Sequence, residues 1–265
     1  MAKFCTLCSS SSGNSTYIGD TRGGILVDTG INCKQLKIAL ASLNIAPETI
    51  KAIFLTHEHS DHITGLRVFA SSYNIPVYAT GGTLAALNNQ GILNGKFPYE
   101  IMPAGGVEID GIRITKFATS HDAKESCGYR IELDSEHIVA VATDTGVMTE
   151  EIINGIADAK IVLIESNYDE DMLTYGCYPL PLKARIRSED GHLSNSDCSQ
   201  TVLHLAQTKV GRHFVLGHLS RENNTPEKAY HCTHSALKNK GLSEEDGDFI
   251  LSVAPAGCMP KPIIF

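Results

Sequence analysis

The 265-residue chain lacks any apolar run near the roughly 20 residues that a membrane-spanning helix requires. Its first residues, 1–5, contain no apolar segment of the kind that directs secretion, so we expect a cytoplasmic protein without a membrane partner. No low-complexity tract and no linker rich in Pro, Ser and Gly interrupts the chain. We therefore expect a single domain over residues 1–265.

Eight cysteines are present, and in a reducing cytosol they are expected to be free thiols. Cys5 and Cys8 form a CxxC pair, which on a strand over residues 4–7 would point to opposite faces. We interpret them as small core residues, and the alternative is a thiolate metal or redox site.

Basic residues are fewer than acidic ones. The chain has 22 Lys and Arg and 30 Asp and Glu, which gives a formal net charge of −8. Nucleic acid repels such a protein on average, so a polyanionic substrate would need a local basic patch or bound cations. Lys183, Arg185 and Arg187 alternate with apolar residues, which on a strand would place three cations on one face. We expect this stripe to contact phosphate, and the alternative is a solvated strand face.

Short strand-like runs recur along the chain, with amphipathic helices between them. Residues 34–43 carry apolar side chains on one helical face, and residues 226–238 begin with proline after a capping threonine. Asp110-Gly111 is a strong hairpin signal. The predicted fold is α/β, a four-layer αββα sandwich in which two mixed β-sheets pack face to face with helices outside.

Residues 56–62 read THEHSDH and directly follow an apolar, strand-like run. Buried polar groups need partners, and a divalent metal supplies one because His nitrogen and carboxylate oxygen are its usual ligands. On an extended segment His57 and His59 share one side, and the glutamate between them faces away. Asp61 and His62 follow as the chain turns into a helix, so they can aim at a second point nearby.

Polar residues also end other strand-like runs. Those at the strand ends are Asp28, His57, His121, Asp144 and His218. Strand ends along one edge of a sandwich meet at the same rim, so these side chains can converge. Together with the rest of the cluster they exceed the four to six ligands of one metal, which indicates two adjacent ions.

At these residues the chain resembles the metallo-β-lactamase fold hydrolases. The matching residues are 27–30, the HxHxDH run at 57–62, His121, 143–146 and His218. The ligands that this resemblance implies are His57, His59 and His121 on one metal, and Asp61, His62 and His218 on the other. It also implies that Asp144 bridges both metals and that Asp28 orients the ligand loop.

Further runs look like the YycJ/WalJ group, bacterial cytoplasmic proteins described as DNA exonucleases. They are residues 11–15, 119–123, 165–168, 191–195 and 217–224. The resemblance implies a phosphodiesterase or exonuclease that cleaves DNA or RNA with a hydroxide held between two divalent ions. The all-His/Asp ligand set suits Zn²⁺ or Mn²⁺, with Fe²⁺ as a third candidate.

Asp61, Asp144 and His192 are the residues that we expect to take part in catalysis. His192 would donate a hydrogen bond or proton to a phosphate oxygen, or else stand at a helix entry beside a capping residue. Asn14 and its serine loop would present N–H groups to phosphate or form an ordinary turn. The expected substrate contacts are Asn14, Lys183, Arg185, Arg187, Ser194, Asn195 and Arg221.

Two other functions remain open. A hydrolase of thioesters or small esters, like the glyoxalase branch of the same fold, agrees with the net charge of −8. The second alternative is a regulatory protein that binds metal without turnover. The full set of metal ligands argues against this alternative. The sequence fixes neither the metal nor the oligomeric state.

Overall fold

A computed structural model describes residues 1–257 and 261–265, so Cys258 lies outside the described residues. Strands and helices alternate around two facing sheets. The strands are β1 Lys3–Ser10, β2 Gly13–Asp20, β3 Gly23–Val27, β4 Ile50–Phe54, β5 Val77–Ala79, β6 Tyr99–Ile101, β7 Val107–Ile109, β8 Ile112–Ala118, β9 Cys127–Glu132, β10 Ile138–Ala142, β11 Ile161–Glu165, β12 Arg212–Gly217, β13 Phe249–Val253 and β14 Ile263–Ile264. The α-helices are α1 Cys33–Ser42, α2 Ser60–Ile63, α3 Leu66–Tyr73, α4 Gly81–Asn89, α5 Glu150–Ile156, α6 Glu170–Tyr175, α7 Leu180–Ile186, α8 Asn195–Thr208 and α9 Pro226–Lys238.

The two sheets have the same mixed topology. The first runs β14-β1-β2-β3-β4-β5-β6 and the second runs β13-β12-β11-β10-β9-β8-β7. In each, an antiparallel meander leads into parallel strands, which are β3 to β6 in the first sheet and β10 to β13 in the second. Parallel neighbours end at the same edge, so each sheet has one edge where several strand ends meet.

Three apolar clusters define the layers. Phe4, Phe54 and Tyr129 belong to the cluster that the two sheets share. A second cluster packs α1 and α3 against the outer face of the first sheet, and a third packs α5, α8 and α9 against the second sheet. Burial of these faces drives the assembly. The predicted four-layer αββα sandwich is confirmed, and the helix predicted over residues 226–238 is α9.

The Cys5–Cys8 pair departs from simple strand alternation. Pairing of β1 with β2 shifts register between Thr6 and Cys8, and an extra residue of this kind turns the following side chains to the other face. Cys5 and Cys8 are consequently buried in the same apolar cluster, so the prediction of opposite faces was wrong. Their interpretation as core residues is confirmed.

The basic stripe predicted for Lys183, Arg185 and Arg187 is wrong, because these residues lie at the end of helix α7 rather than on a strand. Proline at position 179 caps the helix and proline at 181 occupies its first turn, where a missing N–H costs nothing. Lys, Ala, Arg and Leu are strong helix formers, and this preference outweighs the apolar alternation. On a helix, residues two apart point to nearly opposite sides.

Six of the described cysteines carry free thiols, as the cytosolic interpretation expects. They are Cys5, Cys33, Cys127, Cys177, Cys198 and Cys232. Among the helices that the structure describes, none combines the length and apolar character needed to cross a membrane.

Candidate metal centre

The centre lies where the parallel strands of both sheets end. Asp28 follows β3, Asp144 lies two residues beyond β10, and His218 follows β12. All three have left-handed backbones, with φ values of 61°, 59° and 54°. This conformation costs a non-glycine residue roughly 1–2 kcal/mol, and such strain is characteristic of functional sites. The strand ends thus turn sharply and direct these three side chains to one place.

Gly30 allows the turn after Asp28 to pack beneath the histidine cluster. A Cβ atom on Gly30 would lie 1.6 Å from the carbonyl oxygen of Asp61. The Gly30 N–H donates to the Asn14 carbonyl at 2.6 Å, and the Thr29 N–H donates to the His62 carbonyl at 2.9 Å. Only glycine leaves room for this approach, so the turn fixes the backbone that carries Asp61 and His62.

His57, His59 and His121 form the first ligand group, with their ligand atoms within 4.8 Å of one another. His59 Nδ1 lies 3.3 Å from His121 Nε2. His121 Nδ1 donates to the Gly191 carbonyl at 3.0 Å, which leaves its Nε2 as the free nitrogen. His57 Nε2 is buried and has no hydrogen-bond partner among the described residues. A cation between the three rings would supply that partner.

Asp61, His62 and His218 form a second group of the same size. His62 Nδ1 lies 2.8 Å from Asp28 Oδ2, and Asp28 also accepts from the Thr56 N–H and hydroxyl, each at 2.9 Å. Asp28 therefore fixes the ring of His62 so that Nε2 faces the group. His218 Nε2 lies 3.5 Å from Asp61 Oδ2.

Asp144 lies between the two groups. Its Oδ1 is 3.3 Å from His218 Nε2 and 3.8 Å from His121 Nε2, and its Oδ2 is 3.4 Å from His62 Nε2. The carboxylate is 2% exposed, and Oδ2 has no hydrogen-bond partner in the described part of the chain. A buried carboxylate whose two oxygens lie near imidazole nitrogens of both groups suits a bridge between two cations.

The electrostatics of the protein alone also favour cations here. Burial opposes charge on His62, yet Asp144, Asp28 and Asp61 raise its pKa well above the usual value. Burial likewise opposes charge on His218, and Asp144, Asp61 and Glu165 raise its pKa to about 10. The clustered carboxylates thus create a negative potential that stabilises positive charge, and bound divalent ions would supply that charge. The donors are imidazole nitrogens and carboxylate oxygens, a set that fits a divalent metal.

Glu165 is a site residue that the sequence reasoning missed. It ends β11, is fully buried, and accepts from the Thr145 N–H at 2.8 Å. Its Oε1 lies 2.9 Å from His218 Nδ1 and 2.7 Å from His192 Nδ1. One carboxylate therefore orients both rings. It is a polar residue at a strand end, so the rule that identified the other strand-end residues would also have found it.

His192 stands at the exposed side of the centre. Its ring centroid lies 4.9 Å from that of His121 and 5.3 Å from that of His218. Since Glu165 engages Nδ1, Nε2 is the nitrogen left for other partners. The side chain is 19% exposed, so a substrate beside the metal groups can reach it.

Three of the residues predicted to contact substrate are buried near the centre. Asn14 Nδ2 lies 3.1 Å from His62 Nε2 and 3.3 Å from Asp61 Oδ2. Ser194 caps α8, since its hydroxyl accepts from the Asp197 N–H at 3.0 Å. Asn195 Oδ1 accepts from the Ser166 hydroxyl at 2.6 Å. The last two support the loop that carries His192.

The predicted cationic contacts are dispersed. Lys183 is buried and donates to the carbonyls of Thr174 and Gly176, each at 2.8 Å. Arg185 pairs with Asp122, whose Oδ1 lies 3.5 Å from His121 Nε2. Arg187 donates to the Thr174 hydroxyl, and Arg221 is exposed on the loop after His218. Arg185 is thus the member of the basic run that approaches the metal groups.

Comparison with known proteins agrees with this geometry. A family model described as "Beta-lactamase superfamily domain" matches residues 24–219. The chain is 38% identical over 232 residues to "Exodeoxyribonuclease WalJ" of Streptococcus pneumoniae, a match that covers 86% of this chain and 85% of the relative. It is 35% identical over 243 residues to "Exodeoxyribonuclease YycJ" of Bacillus anthracis, covering 90% of each. The metallo-β-lactamase fold protein YhfI of Bacillus subtilis superposes with a TM-score of 0.75 at 14% identity over all of both chains, a likeness of fold.

Proposed function

Because the chain belongs to the metallo-β-lactamase superfamily, and within it resembles the YycJ and WalJ proteins, we propose that it is a metal-dependent exonuclease acting on DNA. The observation that carries the proposal is the convergence of the two ligand groups on the buried carboxylate of Asp144, whose Oδ2 has no hydrogen-bond partner among the described residues. The names of the two relatives supply the substrate class. The proposed enzyme is one domain over residues 1–265.

In this proposal the two groups would hold two divalent ions, Zn²⁺ or Mn²⁺. His57, His59 and His121 would bind one ion, Asp61, His62 and His218 would bind the other, and Asp144 would serve both. When bound, the ions would lower the pKa of water from about 15.7 to about 7 and withdraw charge from the phosphoryl group.

The chain's own residues then orient the reactants. Asp28 and Glu165 hold the rings of His62 and His218, and such outer contacts set ligand orientation and basicity. His192 donates a hydrogen bond or proton from Nε2 to a phosphate oxygen or to the leaving oxygen. The Glu165 carboxylate at Nδ1 fixes the ring and leaves Nε2 for this contact.

A substrate panel tests the proposal. Purified protein is supplied with Mn²⁺ or Zn²⁺ and given labelled single- and double-stranded DNA, RNA, bis-p-nitrophenyl phosphate and a glutathione thioester. We expect metal-dependent cleavage of DNA and of bis-p-nitrophenyl phosphate. Cleavage of the thioester alone would assign the protein to the glyoxalase-like branch, and cleavage of none of them would favour the non-catalytic alternative.

Asp144→Ala is the matched inactive variant, because it removes a buried carboxylate whose oxygens face both ligand groups. We expect DNA cleavage to fall at least about 100-fold when this variant is supplied with the same metal. Turnover near that of the unaltered protein would refute the bridging role of Asp144.

A further inference from the structure

A groove opens directly beside His59 and extends away from the metal groups. Its volume is about 570 Å³, and the residues that line it come from the histidine cluster, from the start of α3 and from the turn after α4. They include His59, Glu58, Arg67, Gln90 and Ile92. The groove is large enough for one nucleotide, since ligand cavities begin at roughly 300 Å³.

Arg67 gives the groove an available cation. It lies on α3, is exposed, and makes no ion pair among the residues that the structure describes. By contrast, Arg22, Arg130 and Arg185 are each paired with a carboxylate. An unpaired guanidinium beside a metal centre is suited to bind phosphate through paired N–H donors.

Glu58 forms part of the groove wall. Its side chain is 8% exposed, and Oε1 accepts from the Lys124 N–H at 2.9 Å. This hydrogen bond fixes the wall beside His59.

Apolar surface completes the groove. Ile63 and Ile92 line it, and Ile92 is partly buried against the core of the first sheet. Apolar side chains can pack against the flat face of a nucleic-acid base. The Arg67 guanidinium and the apolar wall match the phosphate and the ring of a single nucleotide.

We propose that this groove is a nucleotide subsite, which holds the nucleotide next to the bond being cleaved, with Arg67 on its phosphate and Ile92 against its base. This proposal rests on the proposed nuclease function. It assigns substrate recognition to α3 and to the turn after α4. The basic run at residues 183–187 does not line this groove.

Direct binding tests the subsite without turnover. Deoxyadenosine monophosphate, deoxyadenosine and inorganic phosphate are titrated into the metal-loaded protein and followed by calorimetry. We expect the monophosphate to bind most tightly of the three. Arg67→Gln should weaken its binding about tenfold, the usual effect of losing a charge-assisted hydrogen bond. Ile92→Ser should weaken binding of the monophosphate and leave the affinity for inorganic phosphate unchanged.

Arg113→Gln is the matched control, because Arg113 is exposed on β8 and donates only to the Gly105 carbonyl among its described contacts. Melting temperatures check that each variant is folded. Equal monophosphate affinity in Arg67→Gln and Arg113→Gln would overturn the subsite.

Steady-state kinetics separate this proposal from the nuclease proposal. We expect Arg67→Gln to lower kcat/KM for a DNA oligonucleotide about tenfold relative to kcat/KM for bis-p-nitrophenyl phosphate. If the unaltered protein cleaves DNA and this ratio does not change, the subsite is wrong and the nuclease stands. If the unaltered protein cleaves no DNA, the nuclease is wrong whatever Arg67 does.

Discussion

The buried carboxylate of Glu165 lies 2.7 Å from Nδ1 of His192, whose ring stands beside the rings of His121 and His218. The same oxygen lies 2.9 Å from Nδ1 of His218. A single acid therefore couples the orientation of a proposed metal ligand to that of the proposed proton donor.

Glu165→Gln keeps the size of the side chain and removes its charge. We expect metal affinity and DNA cleavage each to fall about 10–100-fold, because the amide has one acceptor oxygen where the carboxylate has two. Either the two rings or the Thr145 N–H would then face an NH2 group. Metal titration with a chromogenic chelator and initial rates measure the two effects. Glu170→Gln, on the exposed first turn of α6, is the control and should match the unaltered protein. Unchanged affinity and rate in Glu165→Gln would refute the orienting role.

Asp28→Asn tests the support beneath the second ligand group. The substitution weakens the contact with His62 Nδ1 and leaves the contact of His121 with Gly191 intact. We expect one of two bound metals to be lost, with affinity at that position about 10–100-fold weaker. Metal content after dialysis against a weak chelator should fall from two ions per chain toward one. Retention of both ions would show that Asp28 does not support the second group.

Gly30→Ala tests the close packing of the turn after β3. The new Cβ would meet the Asp61 carbonyl oxygen at 1.6 Å, so the backbone that carries Asp61 and His62 must move. We expect the free energy of unfolding to fall by about 3 kcal/mol, the upper part of the usual range for overpacking. Gly105→Ala is the control, since nothing lies within 4 Å of its Cβ position. If denaturant unfolding showed that Gly30→Ala and Gly105→Ala have equal free energies of unfolding, this packing would be contradicted.

Chelation should destabilise the fold. Without metal, His57 Nε2 and Asp144 Oδ2 are buried without hydrogen-bond partners within the described chain, and carboxylates crowd together. Metal at 100 times its dissociation constant adds about 2.7 kcal/mol to stability. For a chain of this size we expect chelation to lower the melting temperature by roughly 5–10 °C. If neither chelator nor added metal changes the melting temperature, the folded protein has no metal site that stabilises it.

Metal affinity should rise with pH. Without metal, the carboxylates around His218 raise its pKa to about 10, so at neutral pH the ring carries a proton that an incoming metal must displace. The apparent dissociation constant should therefore decrease about tenfold per pH unit for each proton displaced. Titrations at pH 6, 7 and 8 measure the slope. An affinity that is independent of pH would contradict displacement of a proton.

Much of the centre could be predicted from where polar residues follow apolar runs. Strand burial makes these runs visible in sequence, and parallel strands bring their ends to one edge. Asp28, His121, Asp144 and His218 were all found in this way and lie together in the structure. Glu165 also ends an apolar strand and satisfies the same rule, although it was not counted among the site residues.

Other features depend on information that local patterns do not contain. The alternation of basic and apolar residues at 183–187 fits a strand, but strong helix formers and the prolines at 179 and 181 favour the observed helix. The β-bulge that places Cys5 and Cys8 on one face arises from pairing with β2. The groove at Arg67 joins α3 to the turn after α4, two segments whose proximity only the fold creates.

Digestion of linear and circular DNA tests the central claim most directly. Single strands labelled at the 5′ or the 3′ end and a closed circular strand are incubated with the metal-loaded protein, with and without chelator. We expect the linear strands to shorten stepwise from one end only when metal is present, while the circle stays intact. Nicking of the circle, or intact linear strands in a preparation that still hydrolyses the thioester, would contradict a metal-dependent exonuclease.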